Sequence, residues 1–104
     1  SMGSFTPSTV PGCRAPHVVM PDGTSLYDDL GPGYTLLRRD GRGGTGLADA
    51  ATAQGVPLAT VDLPPDAGYD AALVLARPDA HVAWRGDADP ADPAALIARL
   101  AGQA

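Results

Sequence analysis

The apolar residues of this chain fall in short runs set between Gly, Pro and Asp, and the period of each run indicates its element. A brief strand is predicted over 17–20, followed by a turn at Pro21-Asp22-Gly23. Ser25 then caps a single helical turn over 25–30, with Leu26, Tyr27 and Leu30 as its apolar side, and Gly31-Pro32-Gly33 stops it. Residues 34–38 read as a central strand, and 40–44 as a Gly-rich loop. A helix is predicted over 46–54, capped by Thr45 and closed by Gly55. Pro57 opens a strand over 58–63, and a loop follows over 64–70. Residues 71–76 and 82–85 form a hairpin around Pro78-Asp79. Asp92 before Pro93 starts a last helix, in which Leu96, Ile97 and Leu100 share one face and Gly102 marks the end.

Strand, helix, strand, hairpin and helix in this order imply an α/β domain with a parallel pair joined by a right-handed crossover. The hairpin completes a four-stranded mixed sheet with flanking helices. This is the order of a thioredoxin-like domain shortened in the middle. Alternation along 81–85 places Val82 and Trp84 on one side of the sheet and His81, Ala83 and Arg85 on the other. Trp84 is therefore expected in the core beside Val82, packed on the last helix. Ser1-Met2-Gly3-Ser4 reads as a cloning remnant, and the Pro, Ser, Thr and Gly of 5–15 as an extended lead-in. Residues 1–10 are thus expected to be tag remnant and flexible lead-in, and 11–104 the domain.

Composition narrows the functional classes. The net charge is −5, with no Lys and no Glu, so Asp and Arg carry the charge. That balance, without a basic cluster, argues against a nucleic-acid partner. No apolar run approaches the ~18 residues that a membrane span requires, and the start has no signal-peptide pattern. Cys13 is the single cysteine, so neither an internal disulfide nor a Cys-x-x-Cys pair is available, which fits a cytoplasmic setting.

Several groups could carry chemistry on paper. Gly41, Gly43, Gly44 and Gly46 could cradle a phosphate, but they match neither phosphate-loop fingerprint and read better as a connector. His17 and His81 lack the spaced partners of a metal site. No Gly-x-Ser-x-Gly elbow supports a triad. Cys13 reads as an unreactive thiol. The run from Asp87 to Asp92 lacks calcium-loop spacing, and helix capping accounts for Asp89 and Asp92. No catalytic, cofactor-binding or metal-ligating residue is assigned.

Five segments, in order and at consistent spacing, carry a resemblance: Pro11-Gly12-x-Arg14-Ala15-Pro16-His17, Asp22-Gly23-x-Ser25-Leu26-Tyr27-Asp28, Gly33-Tyr34-Thr35-Leu36-Leu37, Gly55-Val56-Pro57-Leu58 and Arg77-Pro78-Asp79-x-His81-Val82-Ala83-Trp84-Arg85. Over roughly 11–102 the chain resembles the C-terminal domain of FAD-dependent aromatic hydroxylases, which act on aromatic polyketides and phenolic acids. The resemblance implies a thioredoxin-like fold that has lost its redox cysteines. It also implies a parent monooxygenase using FAD and NAD(P)H, whose flavin-binding motifs lie in earlier domains. The partner would be that catalytic body or a second subunit. The contact face is expected on 14–30, where Pro16, Val18, Met20 and Tyr27 offer apolar contact and Arg14 and His17 a polar rim. Alternatively, this segment only covers its own sheet. Two other readings remain open: a stand-alone, redox-inactive thioredoxin-like binding protein, and a small independent enzyme.

Overall fold

A computed structural model describes residues 12–65 and 67–102; the expected tag remnant and lead-in over 1–10 lie outside them. The sheet is built outward from β1 (Tyr34–Arg38), which is flanked on both sides. β2 (Leu58–Asp62) pairs with it in parallel, in a register that sets Leu36 opposite Thr60. The connection between these strands is α2 (Thr45–Gln54). On the other side of β1 lie β3 (Leu73–Ala76) and then β4 (Val82–Gly86), each antiparallel to its neighbour. The order β2-β1-β3-β4, with β3 opposed to the other three strands, is the thioredoxin-like arrangement expected from the sequence. Among the described residues no helix lies between β2 and β3, which is the predicted shortening in the middle.

Each strand face feeds a separate core. Leu36, Leu73 and Leu75 meet Leu47 and Ala51 of α2 and Leu96, Ile97 and Leu100 of α3 (Pro93–Gly102). Leu37, Val74, Ala76 and Val82 face the opposite way, onto Ala15, Val18, Leu26, Leu63, Tyr69 and Ala71. Both long helices thus lie on one face. The second face is covered by residues 12–30 and the one-turn α1 (Leu26–Asp29), with Ser25 as its cap. β3 is buried at all four positions, as expected for a strand covered on both sides.

Several expectations are corrected. Val82 and Trp84 do not share a face. Leu75 pairs with Trp84 and Ala76 with Val82, so Ala83 is the extra residue of a β-bulge, and the alternation breaks there. Val82 enters the core under residues 12–30, while Trp84 lies half-buried against the helix-side core. The Trp84 ring lies over Gly86, where a Cβ would come within 2.7 Å of its Cζ2. Residues 17–20 do not form a strand; they contribute only the bridge between Val19 and Ser25. Residues 12–15 are no loose lead-in, because their backbone pairs with the start of β4.

Helix α2 begins one residue earlier than its sequence predicts, and Thr45 does not cap it. The N-cap is Gly44 at φ 81, where a side chain would be strained and would collide with Leu36. The cap comes instead from Asp89, in the link between β4 and α3. Its carboxylate accepts from the Gly44 N–H at 3.1 Å and the Leu47 N–H at 3.2 Å. Asp92 accepts from the Ala95 N–H at 3.1 Å and so serves the start of α3. At the far end of α2, Gly55 closes the helix in a left-handed conformation, φ 69, as its sequence predicts.

Asp89→Ala is expected to lower unfolding free energy by about 1–2 kcal/mol, the usual cost of losing a helix cap. Asp49→Ala, at an exposed position of α2, should change it by less than about 0.5 kcal/mol. Urea denaturation followed by Trp84 fluorescence compares the two. Equal midpoints would remove Asp89 from the cap.

Candidate functional site

The segment 12–30 holds every residue that its sequence marks as a contact candidate, and its path is set by backbone demand. The Gly12 N–H donates to Val82 O at 2.8 Å, the Val82 N–H to Cys13 O at 2.8 Å, and the Ala15 N–H to Ala80 O at 2.7 Å. Arg14 bridges to His81 in the same pairing. The Ala80 carbonyl is presented by a tight hairpin loop in which Ala80 itself takes φ 71. Asp79 holds that loop: its carboxylate accepts from the His81 N–H at 3.1 Å and pairs with the Arg77 guanidinium at 2.8 Å. The His81 N–H, and less strongly the neighbouring charge of Arg77, keep the Asp79 carboxyl below the usual carboxylate range.

Beyond Ala15 the segment leaves the sheet, and two tyrosines satisfy its carbonyls. Tyr27 donates its hydroxyl to Ala15 O at 2.7 Å, and Tyr69 donates to Pro16 O at 2.6 Å. Tyr69 is buried, and burial, reinforced by Tyr27, pushes its phenol well above the usual tyrosine value. It therefore stays protonated and remains a donor. Pro21-Asp22-Gly23 makes the expected turn, with the Met20 N–H donating to Thr24 O and the Asp22 carboxylate accepting from the Thr24 N–H and hydroxyl. The Leu26 N–H returns to Val18 O at 2.8 Å.

Three of the six candidates come together on the outer side. The Arg14 Cζ lies 4.5 Å from the Tyr27 ring centroid. The His17 ring is 5.2 Å from the same ring, tilted by 56°, and its Nε2 is 2.8 Å from Ser25 Oγ. Pro16 and Met20 are half-buried, Met20 against the core beneath. Val18 is turned inward and is a core residue, so it offers no outer contact. Its neighbour Val19 points out instead and is 64% exposed. Tyr69, which anchors the segment, has no signal in its sequence neighbourhood; it becomes visible only when residues 63–72 fold back over the sheet.

Elsewhere the chemistry is quieter. The loop 39–44 lies at the carboxyl end of β1, where open α/β sheets place their sites. There the Arg39 guanidinium pairs with Asp40 and also donates to Tyr69 O, while Asp89 already accepts from the Gly44 and Leu47 N–H groups at the head of α2. At the opposite end of the sheet, Pro32, Tyr34, Val56, Pro57, Arg77 and Pro78 line an open cleft of about 530 Å³. Among the described residues no three His, Cys, Asp or Glu side chains gather as a metal site, and no helix is long and apolar enough to cross a membrane.

These features define a thioredoxin-like α/β domain in which a carboxylate from a neighbouring loop closes the head of the first long helix. The chain belongs to the aromatic-ring hydroxylase C-terminal family, which it matches over residues 8–104. It is 40% identical over 92 residues to the FAD-dependent monooxygenase apdD of Emericella nidulans, covering 80% of this chain and 15% of that protein. It is 37% identical over 110 residues to aklavinone 12-hydroxylase RdmE of Streptomyces purpurascens, covering 89% and 21%. Among solved structures, the rebeccamycin biosynthetic enzyme RebC with reduced flavin superposes with a TM-score of 0.85 at 40% identity, covering 100% of this chain and 21% of that one. A ternary complex of aklavinone-11 hydroxylase with FAD and aklavinone gives 0.68 at 34% identity, covering 91% and 21%. The chain thus spans between 15% and 21% of the length of these relatives.

The Tyr69 anchor has a pH signature. The folded state binds the phenolic proton more tightly than the unfolded chain. Its contribution is therefore complete below about pH 10 and declines as pH rises beyond that value. Tyr69→Phe should cost about 1–2 kcal/mol at pH 7, because Pro16 O loses its donor. It should also flatten the loss of stability between pH 9 and 11, measured by urea denaturation at each pH. Parallel pH curves for the two proteins would contradict this role.

Proposed function

We propose that this chain is the non-catalytic C-terminal domain of a cytoplasmic, FAD-dependent aromatic-ring monooxygenase, and that it docks on the catalytic body to stabilise it. FAD and NAD(P)H are handled by the rest of the polypeptide, which also binds the aromatic substrate. The observation that carries this reading is the family match across nearly the whole chain, joined to a coverage of only 15–21% of flavin-enzyme relatives. The head of α2 supports it. A thioredoxin-like reductase works there with two thiols, an attacking and a resolving one. Here Gly43 and Gly44 lead into the helix, and the Asp89 carboxylate accepts from the Gly44 and Leu47 N–H groups at its head.

Mixed with FAD, the chain should leave flavin fluorescence unquenched and elute without flavin. The longer polypeptide that contains it should purify yellow and oxidise NAD(P)H when given a phenolic substrate. Insulin reduction with dithiothreitol should proceed no faster in the presence of the chain. Stoichiometric FAD binding by the chain, or a reductase rate abolished by Cys13→Ser, would refute the reading. A natural open reading frame without a flavin-binding body would favour the stand-alone binding protein.

A further inference from the structure

We infer that Arg14, held against the ring of Tyr27, receives a carboxylate side chain of the catalytic body, with Val19 as the apolar contact beside it. This rests on the reading above and names the chemistry of the docking contact. Arg38, Arg39, Arg77 and Arg85 each pair with an Asp within 3.2 Å. Arg14 pairs with none among the described residues, although the chain carries a net charge of −5. Among the described residues Arg42 and Arg99 also show no ion pair, but neither is stacked on a ring. Arg14 alone combines an unpaired guanidinium with a fixed position.

That fixed position has a physical source. The backbone of Arg14 is bridged to His81, its head sits 4.5 Å from the Tyr27 centroid, and Tyr27 is anchored by its own bond to Ala15 O. A stacked guanidinium keeps its in-plane donors directed outward, a geometry suited to a bidentate carboxylate. Contacts run on continuously from Tyr27 to His17, from His17 Nε2 to Ser25 Oγ, and from Ser25 across its bridge to the exposed Val19. The location fits the occupant. About four-fifths of each relative lies outside the matched part, and in a C-terminal domain that portion joins ahead of residue 8, on the N-terminal side of Arg14.

The test uses the full flavoprotein and this chain side by side. In the full protein, Arg14→Glu should speed limited proteolysis ahead of Gly12 about tenfold, and high salt should produce part of the same effect in the unsubstituted enzyme. Arg14→Lys, which keeps the charge and loses the fork, should fall between. In this chain alone, Arg14→Glu should move the thermal midpoint by about 4 °C or less, since an exposed cation–π contact is weak. Reversing the charge of the facing carboxylate should restore slow cleavage. Unchanged proteolysis in a full protein that retains FAD would overturn the contact and leave the domain assignment standing. Loss of oligomeric state with unchanged proteolysis would assign the patch to a second copy and overturn the proposal. A full polypeptide that carries no flavin would overturn both.

Discussion

Leu36 and Leu37 are adjacent on the central strand and point to opposite faces of the sheet, so both faces must be kept from water. Two helices cover the Leu36 side. Among the described residues nothing helical of comparable length covers the Leu37 side, and residues 12–30 take that place. The segment is short and irregular, yet it is no optional wrapping. Leu26 and Val18 alone contribute about 1.5–3 kcal/mol each by burial, against a total of about 5–15 kcal/mol for a domain. Such a segment has few regular hydrogen bonds of its own. Its polar backbone is satisfied by β4, by Ala80 O and by the hydroxyls of Tyr27 and Tyr69. The need to bury Leu37 thus accounts for the path of the segment, and the path accounts for which side chains remain outside.

What could be read from the chain was what local physics determines. The strand at 34–38, the strand opening at Leu58, the turn at Pro21-Asp22-Gly23, the Gly55 stop and the start of the last helix all depend on neighbours a few residues away. The topology followed, because a strand–helix–strand unit has one favoured hand. What escaped depends on distant partners. Asp89 reads locally as a helix cap, but the helix it caps begins more than forty residues earlier, and no local spacing reveals which one it serves. The bulge at Ala83 inverts the parity of β4, and a period of two cannot announce its own interruption. Residues 12–15 look like a lead-in by composition, yet their backbone is paired by an edge strand that is far away in sequence.

The candidate surface was legible by residue type more than by direction. Arg14, His17 and Tyr27 carry the residue types of a contact surface, and they do converge. Val18 was marked with them and lies inside, while Val19 was passed over and lies outside. In an extended segment, adjacent side chains point in opposite directions. Choosing between them requires knowing which face of the segment meets the sheet. Once Leu26 N–H is seen to bond Val18 O, and Val18 to join the core, the assignment of Val19 follows.

The same parity separates the two jobs that residues 12–30 can perform. Ala15, Val18 and Leu26 close the lower core, and a change at any of them opens a cavity and weakens the fold before it affects any partner. Arg14, His17 and Val19 share the backbone of these residues but little of their packing. A contact with a catalytic body can therefore be strengthened or lost at the outer positions while the domain keeps its core. Tyr27 belongs to both sets: its hydroxyl holds Ala15 O, and its ring supports Arg14 and His17. Any shift of the segment relative to the sheet must move that hydroxyl and that ring together. Through Tyr27, the seating of residues 12–30 on the core and the orientation of the Arg14 guanidinium are mechanically coupled.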